Sequence, residues 1–179
     1  MKILLIAHEF SCKLGSECYS AFKIAEGLAK RHDITVIYAQ TNQLATNNYL
    51  SHNKDVLHAK NIKSFAIPQP KKYKWLINLN KALFKKSNIG NRFIYFFVLK
   101  NWEKNVVKFI KMNDMELDYD LIHHINHITF REPSYLYKQS IPYVLGPKSG
   151  TDYVISSYLG NFARVKTIIR NLLIKSTNF

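Results

Sequence analysis

Acidic residues, cysteine, glycine and proline are all scarce in this chain, at 12, 2, 6 and 5 among 179 residues. The two cysteines, Cys12 and Cys18, stand six positions apart with no second pair. They can build neither a zinc knuckle, a thioredoxin-type motif nor a disulfide framework, and reduced thiols of a cytosolic chain are expected. The glycines form no Gly-x-Gly-x-x-Gly run and no Walker lysine pattern, which sets aside nicotinamide-binding and P-loop readings. Long apolar runs are also missing. Ile3–Ala7 and Phe93–Leu99 fall well short of the roughly 18 residues that cross a bilayer. His8 and Glu9 cut the first run short without a small-residue cleavage site, so no signal peptide is expected. Internal repeats and low-complexity linkers are absent as well.

What is abundant is apolar and basic. Apolar residues make up 47% and aromatic ones 13%, enough for one packed domain and too much for a disordered tail. Lys and Arg number 26, for a net charge of +14. From Lys54 to Lys111 there are 14 basic residues and two acids, Asp55 and Glu103, so one third of the chain carries +12. A positive field of that density marks a surface for phosphates, whether of lipid headgroups, nucleic acid or an anionic substrate; the plain alternative is a solvated face.

The hydrophobic pattern alternates between strand and helix. Lys2–Ala7 reads as a strand buried on both faces. After the loop His8–Ser16, with Ser16 as N-cap, Ala21, Phe22, Ala25, Leu28 and Ala29 recur at helical spacing. Ile34–Ala39 follows as a second strand, and the intervening helix implies parallel pairing. An Asn-rich stretch over 40–61 is expected to hold a short helix, and Ile62–Ile67 a third strand. Helical patterns cover Trp75–Phe84 and Phe93–Met112. Tyr119–Ile125 reads as a strand, Pro133–Gln139 as a short helix, Pro142–Leu145 as a strand and Phe162–Lys175 as a closing helix. The expected fold is α/β, a Rossmann-like three-layer sandwich with a mostly parallel sheet, in one domain over 1–179 with a basic helical insertion at about 71–112.

Ligands of such sheets bind beyond the carboxyl ends of the strands. Three segments lie there. In the first, Gly15-Ser16-Glu17 opens a helix, whose N–H groups and dipole favour an anion; the plain alternative is a tight turn with a helix cap, and one Gly-Ser pair alone is weak evidence for more. The second, Asp120–Arg131, holds three histidines. His123 and His127 share one strand face and His124 takes the other. His123 reads as a satisfied, sheet-buried histidine, and His124 and His127 as the better site candidates for hydrogen bonding to hydroxyls or developing charge. No Cys or carboxylate falls at a matching metal-ligand spacing, so no metal is expected. The third, Gly146-Pro147-Lys148-Ser149-Gly150, is a compact turn whose lysine could face an anion.

Taken together these segments resemble the GT-B glycosyltransferases of family 4. The resemblance rests on the opening strand, Gly-Ser-Glu before a helix, His-Asp-Ile-Thr-Val, the Asp-Leu-Ile-His-His stretch running to Phe130-Arg131-Glu132-Pro133, and Pro142-Tyr-Val-Leu-Gly-Pro147. It covers Met1 to about Asp152. It implies the N-terminal, acceptor-binding half of a retaining enzyme that transfers a hexose from a nucleotide sugar, UDP- or GDP-linked, to a saccharide or lipid-linked acceptor, with no required cofactor or metal. The C-terminal donor-binding domain is then missing from this chain, which is expected to be inactive alone. Gly15, Ser16 and Glu17 would approach the donor phosphates and sugar. His124 or His127 would contact the sugar near the reacting centre, and Arg131, Gly146, Lys148 and Gly150 would line the acceptor cleft. Lys148-Ser149 replaces the usual Gly-rich continuation and Leu145 the usual tryptophan, which leaves donor and acceptor open.

The same resemblance gives the basic third a use. Lys71, Lys72, Lys74, Trp75, Lys85 and Lys86, with Phe84, Phe93, Tyr95, Phe96 and Phe97 near them, combine cations and aromatics as interfacial helices do. At roughly 1 kcal/mol per lysine near an anionic leaflet, five or six suffice for reversible docking to the cytosolic face of a membrane. The competing reading is a non-catalytic basic module for nucleic acid or phosphorylated small molecules. No recognisable nucleic-acid-reading motif accompanies the charge.

Overall fold

A computed structural model describes residues 1–13, 15–40, 46–47, 50, 61–69, 73–83, 91–126 and 134–147. The expected short helix within 40–61 falls almost wholly outside these residues, and the closing helix at 162–175 entirely so. The described elements are β1 (Lys2–Ala7), α1 (Ser16–Ala29), β2 (Asp33–Ala39), β3 (Ile62–Ile67), α2 (Tyr73–Leu83), α3 (Asn91–Met112), β4 (Leu121–Asn126) and β5 (Tyr143–Leu145). The strands form one parallel sheet in the order β3-β2-β1-β4-β5. This is the α/β Rossmann-like arrangement expected from the alternation of patterns.

Alternation within each strand sorts the core into two layers. Ile3, Leu5, Ala7, Ile34, Val36 and Tyr38 face α1, which contributes Ala21, Phe22, Ala25 and Ala29. Leu4, Ile6, Ile37, Ala39, Ile67 and Ile122 face α3, which contributes Leu99, Trp102, Val106 and Ile110. β1 and β2 are enclosed by both layers, so they read as continuous apolar runs. β3, at the edge, alternates buried and exposed residues instead.

Three local expectations differ from the structure. The N-cap of α1 is Gly15, not Ser16. The chain turns there at φ 38° and ψ 163°, which glycine alone adopts readily, and no side chain caps the helix. β4 starts at Leu121 because Asp120 ends the loop: its carboxylate accepts from the Lys2 N–H at 2.8 Å, and its own N–H donates to the Lys2 carbonyl at 2.9 Å. The short helix after Pro133 is a 3-10 turn, Tyr135–Lys138, capped by Ser134, whose hydroxyl accepts from the Leu136 N–H at 3.2 Å.

Among the described residues no helix is long and apolar enough to cross a membrane.

Candidate functional site

The strand order places the switch point of the sheet between β1 and β4, because the chain runs outward one way through β2 and β3 and the other way through β5. The crevice beyond the carboxyl ends of these two strands is where such folds bind ligands. Two features shape it here. The β1–β4 register shifts between Ile6 and Ala7, so Ala7 pairs with Asn126 rather than Ile125. That bulge delivers the Asn126 amide to the loop after β1, where it donates to the Glu9 carbonyl at 2.8 Å and accepts from the Glu9 N–H at 3.3 Å.

Within that loop, Gly15 swings the chain into α1, and the first helical bond runs from the Tyr19 N–H to the Gly15 carbonyl. Gly15 and Ser16 are exposed and Glu17 is half-buried. Burial, with the Glu9 carboxylate nearby, raises the pKa of Glu17. Burial and Glu9 also push the Cys18 thiol up to about 11, and its Sγ lies 3.6 Å from a Glu9 carboxylate oxygen. Cys12 and Cys18 are not joined by a disulfide.

On the α3 side of the sheet a belt of polar side chains crosses the strand ends. His8 is buried against the edge of the Trp102 ring, 4.9 Å between centroids at 85°, with its Nε2 3.1 Å from Gln69 Nε2. Burial lowers its pKa to about 4, so the ring is neutral. Trp102 Nε1–H donates to the Ile67 carbonyl at 3.4 Å. Next to it, Glu103 is the one acid of α3, buried with 5% exposure. It accepts from the Tyr135 N–H at 3.3 Å and sits 3.9 Å from His124 Nε2. His124 Nδ1 lies 3.0 Å from the Tyr143 hydroxyl. Burial first, then repulsion from Glu103, pushes Tyr143 up to about 12, eased by a bond with Ser134. A carboxylate enclosed in a core is costly unless it is hydrogen-bonded, and the Tyr135 N–H supplies such a bond to Glu103.

Of the two histidines of β4, the sealed one is His124 and not His123, which the sequence pointed to as the sheet-buried one. His124 is 1% exposed, while His123 is half-buried with its Nε2 3.0 Å from the Gly146 carbonyl. The reason is phase: His124 shares its strand face with Ile122, which packs under α3, so it is sealed in that layer. A carbonyl only accepts, so His123 Nε2 carries the proton there and tethers the turn after β5. The Gly146 N–H completes the tether by donating to the His124 carbonyl at 2.9 Å.

The structure thus brings Gly15, Ser16, Glu17, His124 and Gly146 to the carboxyl edge of the sheet. His127, Arg131, Lys148 and Gly150 lie outside the described residues, as do Lys71, Lys72, Lys85 and Lys86. Lys74 and Trp75 fall on α2, where Trp75 is 62% exposed. Sequence reasoning missed His8, Gln69, Trp102, Glu103, Asn126 and Tyr143. One signal was available: Glu103 interrupts the apolar series Leu99, Trp102, Val106 and Ile110, which places it on the buried side of α3. A concavity of about 300 Å³ between Lys2, Asp33, Thr35, Lys63, Asp118 and Tyr119 opens at the opposite, amino edge of the sheet. Its charges offset two for two, and the Tyr119 hydroxyl already bonds Thr35 at 2.8 Å. No group of three or more potential metal ligands occurs among the described residues.

Comparison with protein-family models, with curated proteins and with solved structures returns no match.

Proposed function

We propose that the chain is the acceptor-side half of a retaining glycosyltransferase of GT-B type, moving a hexose from a UDP- or GDP-sugar to a saccharide or lipid-linked acceptor. The observation that carries this reading is the group of residues gathered beyond the carboxyl ends of β1 and β4, where such sheets bind ligands. There the exposed amino end of α1, turned by Gly15, stands beside the Glu9–Glu17 pair and the Asn126 bridge. Backbone N–H groups at such a helix end suit the donor phosphates. Carboxylates accept hydrogen bonds from sugar hydroxyls, which suits an acceptor saccharide better than a second anion. Catalysis needs the second domain to close over this crevice, because half a site cannot pre-organise the charge that develops in transfer. In this reading Lys71, Lys72, Lys74, Trp75, Lys85 and Lys86 hold the enzyme peripherally at the cytosolic membrane face, where a lipid-linked acceptor is presented. The exposed Trp75 and Leu79, one turn apart on α2, support that contact.

The test uses the full-length natural protein with UDP- and GDP-hexoses and lipid-linked saccharides. Expected are acceptor-dependent release of nucleoside diphosphate, a product with the donor's anomeric configuration, and a loss of rate in Ser16→Ala and Glu17→Gln. An inverted product, or no release with any donor of the panel, would refute the assignment.

A further inference from the structure

The outward face of α3 has no place in the crevice just described. At 100° per residue, Phe97, Lys100, Lys104, Lys108 and Lys111 fall within an arc of about 80°. Val98, Leu99, Trp102, Glu103, Val106 and Ile110, all buried, occupy the opposite side. The cations therefore form one straight ridge about 16 Å long, headed by Phe97 at 53% exposure. The helix's single acid is buried beneath it, so no carboxylate of α3 interrupts the ridge.

Along the ridge lies a groove of about 220 Å³, lined by Lys104, Val107 and Lys111 of α3 and by Tyr135 and Gln139 around the 3-10 turn. The Lys104 ammonium sits 5.4 Å from the centre of the Tyr135 ring, which holds it at the groove wall. Gln139 Oε1 is buried with no hydrogen-bond partner among the described residues. The residue as a whole is half-buried, so a rotation that turns its amide toward the groove would let the N–H donate to a phosphate oxygen. Pockets for drug-sized ligands run about 300–1,000 Å³, so this groove suits a single headgroup rather than a nucleotide sugar.

We propose that the groove between Lys104 and Lys111 takes the phosphate headgroup of an anionic phospholipid, with α3 lying along the leaflet on its lysine ridge. This deepens the membrane part of the function proposed above and is independent of sugar transfer. A leaflet is favoured over a nucleic-acid backbone because Phe97, and on α2 Trp75 and Leu79, stand exposed in the same basic third of the chain. Interfacial helices bury such groups at the acyl boundary, and an aliphatic side chain such as Leu79 gains nothing from a phosphodiester strand.

The test is co-sedimentation of the chain with phosphatidylcholine vesicles, with and without phosphatidylglycerol. Binding is expected only to the phosphatidylglycerol-doped vesicles. Lys104→Gln/Lys111→Gln should lower partitioning about 25-fold, since about 1 kcal/mol per lysine is about fivefold each. Lys104→Arg/Lys111→Arg should retain binding, which separates charge from folding. Lys30→Gln/Arg31→Gln removes equal charge from the end of α1, on the other face of the sheet. It should matter less than about twofold at physiological salt, where the screening length is about 8 Å. Equal losses from the two glutamine pairs, no binding to doped vesicles, or tighter binding to duplex DNA or RNA at equal salt would each overturn the proposal. Glycerol phosphate that shields Lys104 and Lys111 from acetylation as fully as vesicles do would assign the groove to a soluble phosphate and overturn it too. An inactive transferase preparation would leave the vesicle result standing.

Discussion

Acid should destabilise this protein chiefly through His8. The folded structure buries the ring against Trp102 and holds its pKa at about 4, against 6.5 for an accessible imidazole. Between those values the unfolded chain binds a proton that the folded chain refuses, so stability falls as pH drops from about 6.5 and levels off below about 4. Two and a half pH units correspond to about 3 kcal/mol, a sizeable part of the roughly 5–15 kcal/mol that holds a domain together. The local chemistry adds a reason. If Gln69 presents its amide N–H to His8 Nε2, protonating that nitrogen sets donor against donor. Glu17 works in the opposite sense: its raised folded pKa means stability is lost as pH rises through it, which blunts the acid limb of the wild-type curve. The perturbation that isolates the imidazole is His8→Gln. Urea titrations followed by far-UV circular dichroism between pH 7 and 4 should show a wild-type free energy that drops about 3 kcal/mol more than the variant's over this range. Parallel curves for the two proteins would refute the reasoning. So would an NMR titration that places the His8 imidazole near 6.5.

Other consequences are simpler to read. Trp102→Ala removes the largest fully buried side chain, its packing on His8 and its bond to the Ile67 carbonyl, and should cost about 3–5 kcal/mol in urea unfolding, with Trp102→Phe costing clearly less. Gly15→Ala meets no atom within 4 Å of the new Cβ, so its expected loss of about 1–3 kcal/mol is backbone strain at positive φ alone; thermal unfolding measures it. With its thiol pushed up to about 11 and buried, Cys18 should resist iodoacetamide at pH 8 in the folded protein and react at an ordinary rate in urea, as mass spectrometry of the labelled peptides will show.

The fold was legible where burial makes the sequence monotonous. β1 and β3 match the expected strands to the residue, and β2 differs by one, because strands closed on both faces or ended by proline leave sharp boundaries in the sequence. α2 and α3 were found to within two residues from their spacing alone. What escaped was set by geometry that periodicity does not encode. A single extra residue at the end of β4 shifts its register, and nothing in Leu-Ile-His-His-Ile-Asn announces it. That His124 and not His123 is the sealed histidine escaped for a related reason: both faces of β4 carry apolar residues beside a histidine, and only the packing of α3 decides which histidine it covers. At the candidate site the glycine turn was visible as a motif. The belt of His8, Gln69, Glu103 and Tyr143 was not, because its members come from two loops, a helix and a strand far apart in sequence.

The position of β1 has a consequence for how the chain is made. It is synthesised before the other described strands and is the middle strand of the sheet, with Leu4 paired to Thr35 on one side and Ile122 on the other. The first neighbour arrives within about three dozen residues. The second follows only after β3, α2 and α3 have been synthesised, roughly 6–24 s later than β1 itself at about 5–20 residues per second. For that interval the centre of the future sheet is an open edge of Ile and Leu. The nascent protein is therefore most exposed to mispairing before α3 emerges, and anything that slows translation of the basic third lengthens that exposure.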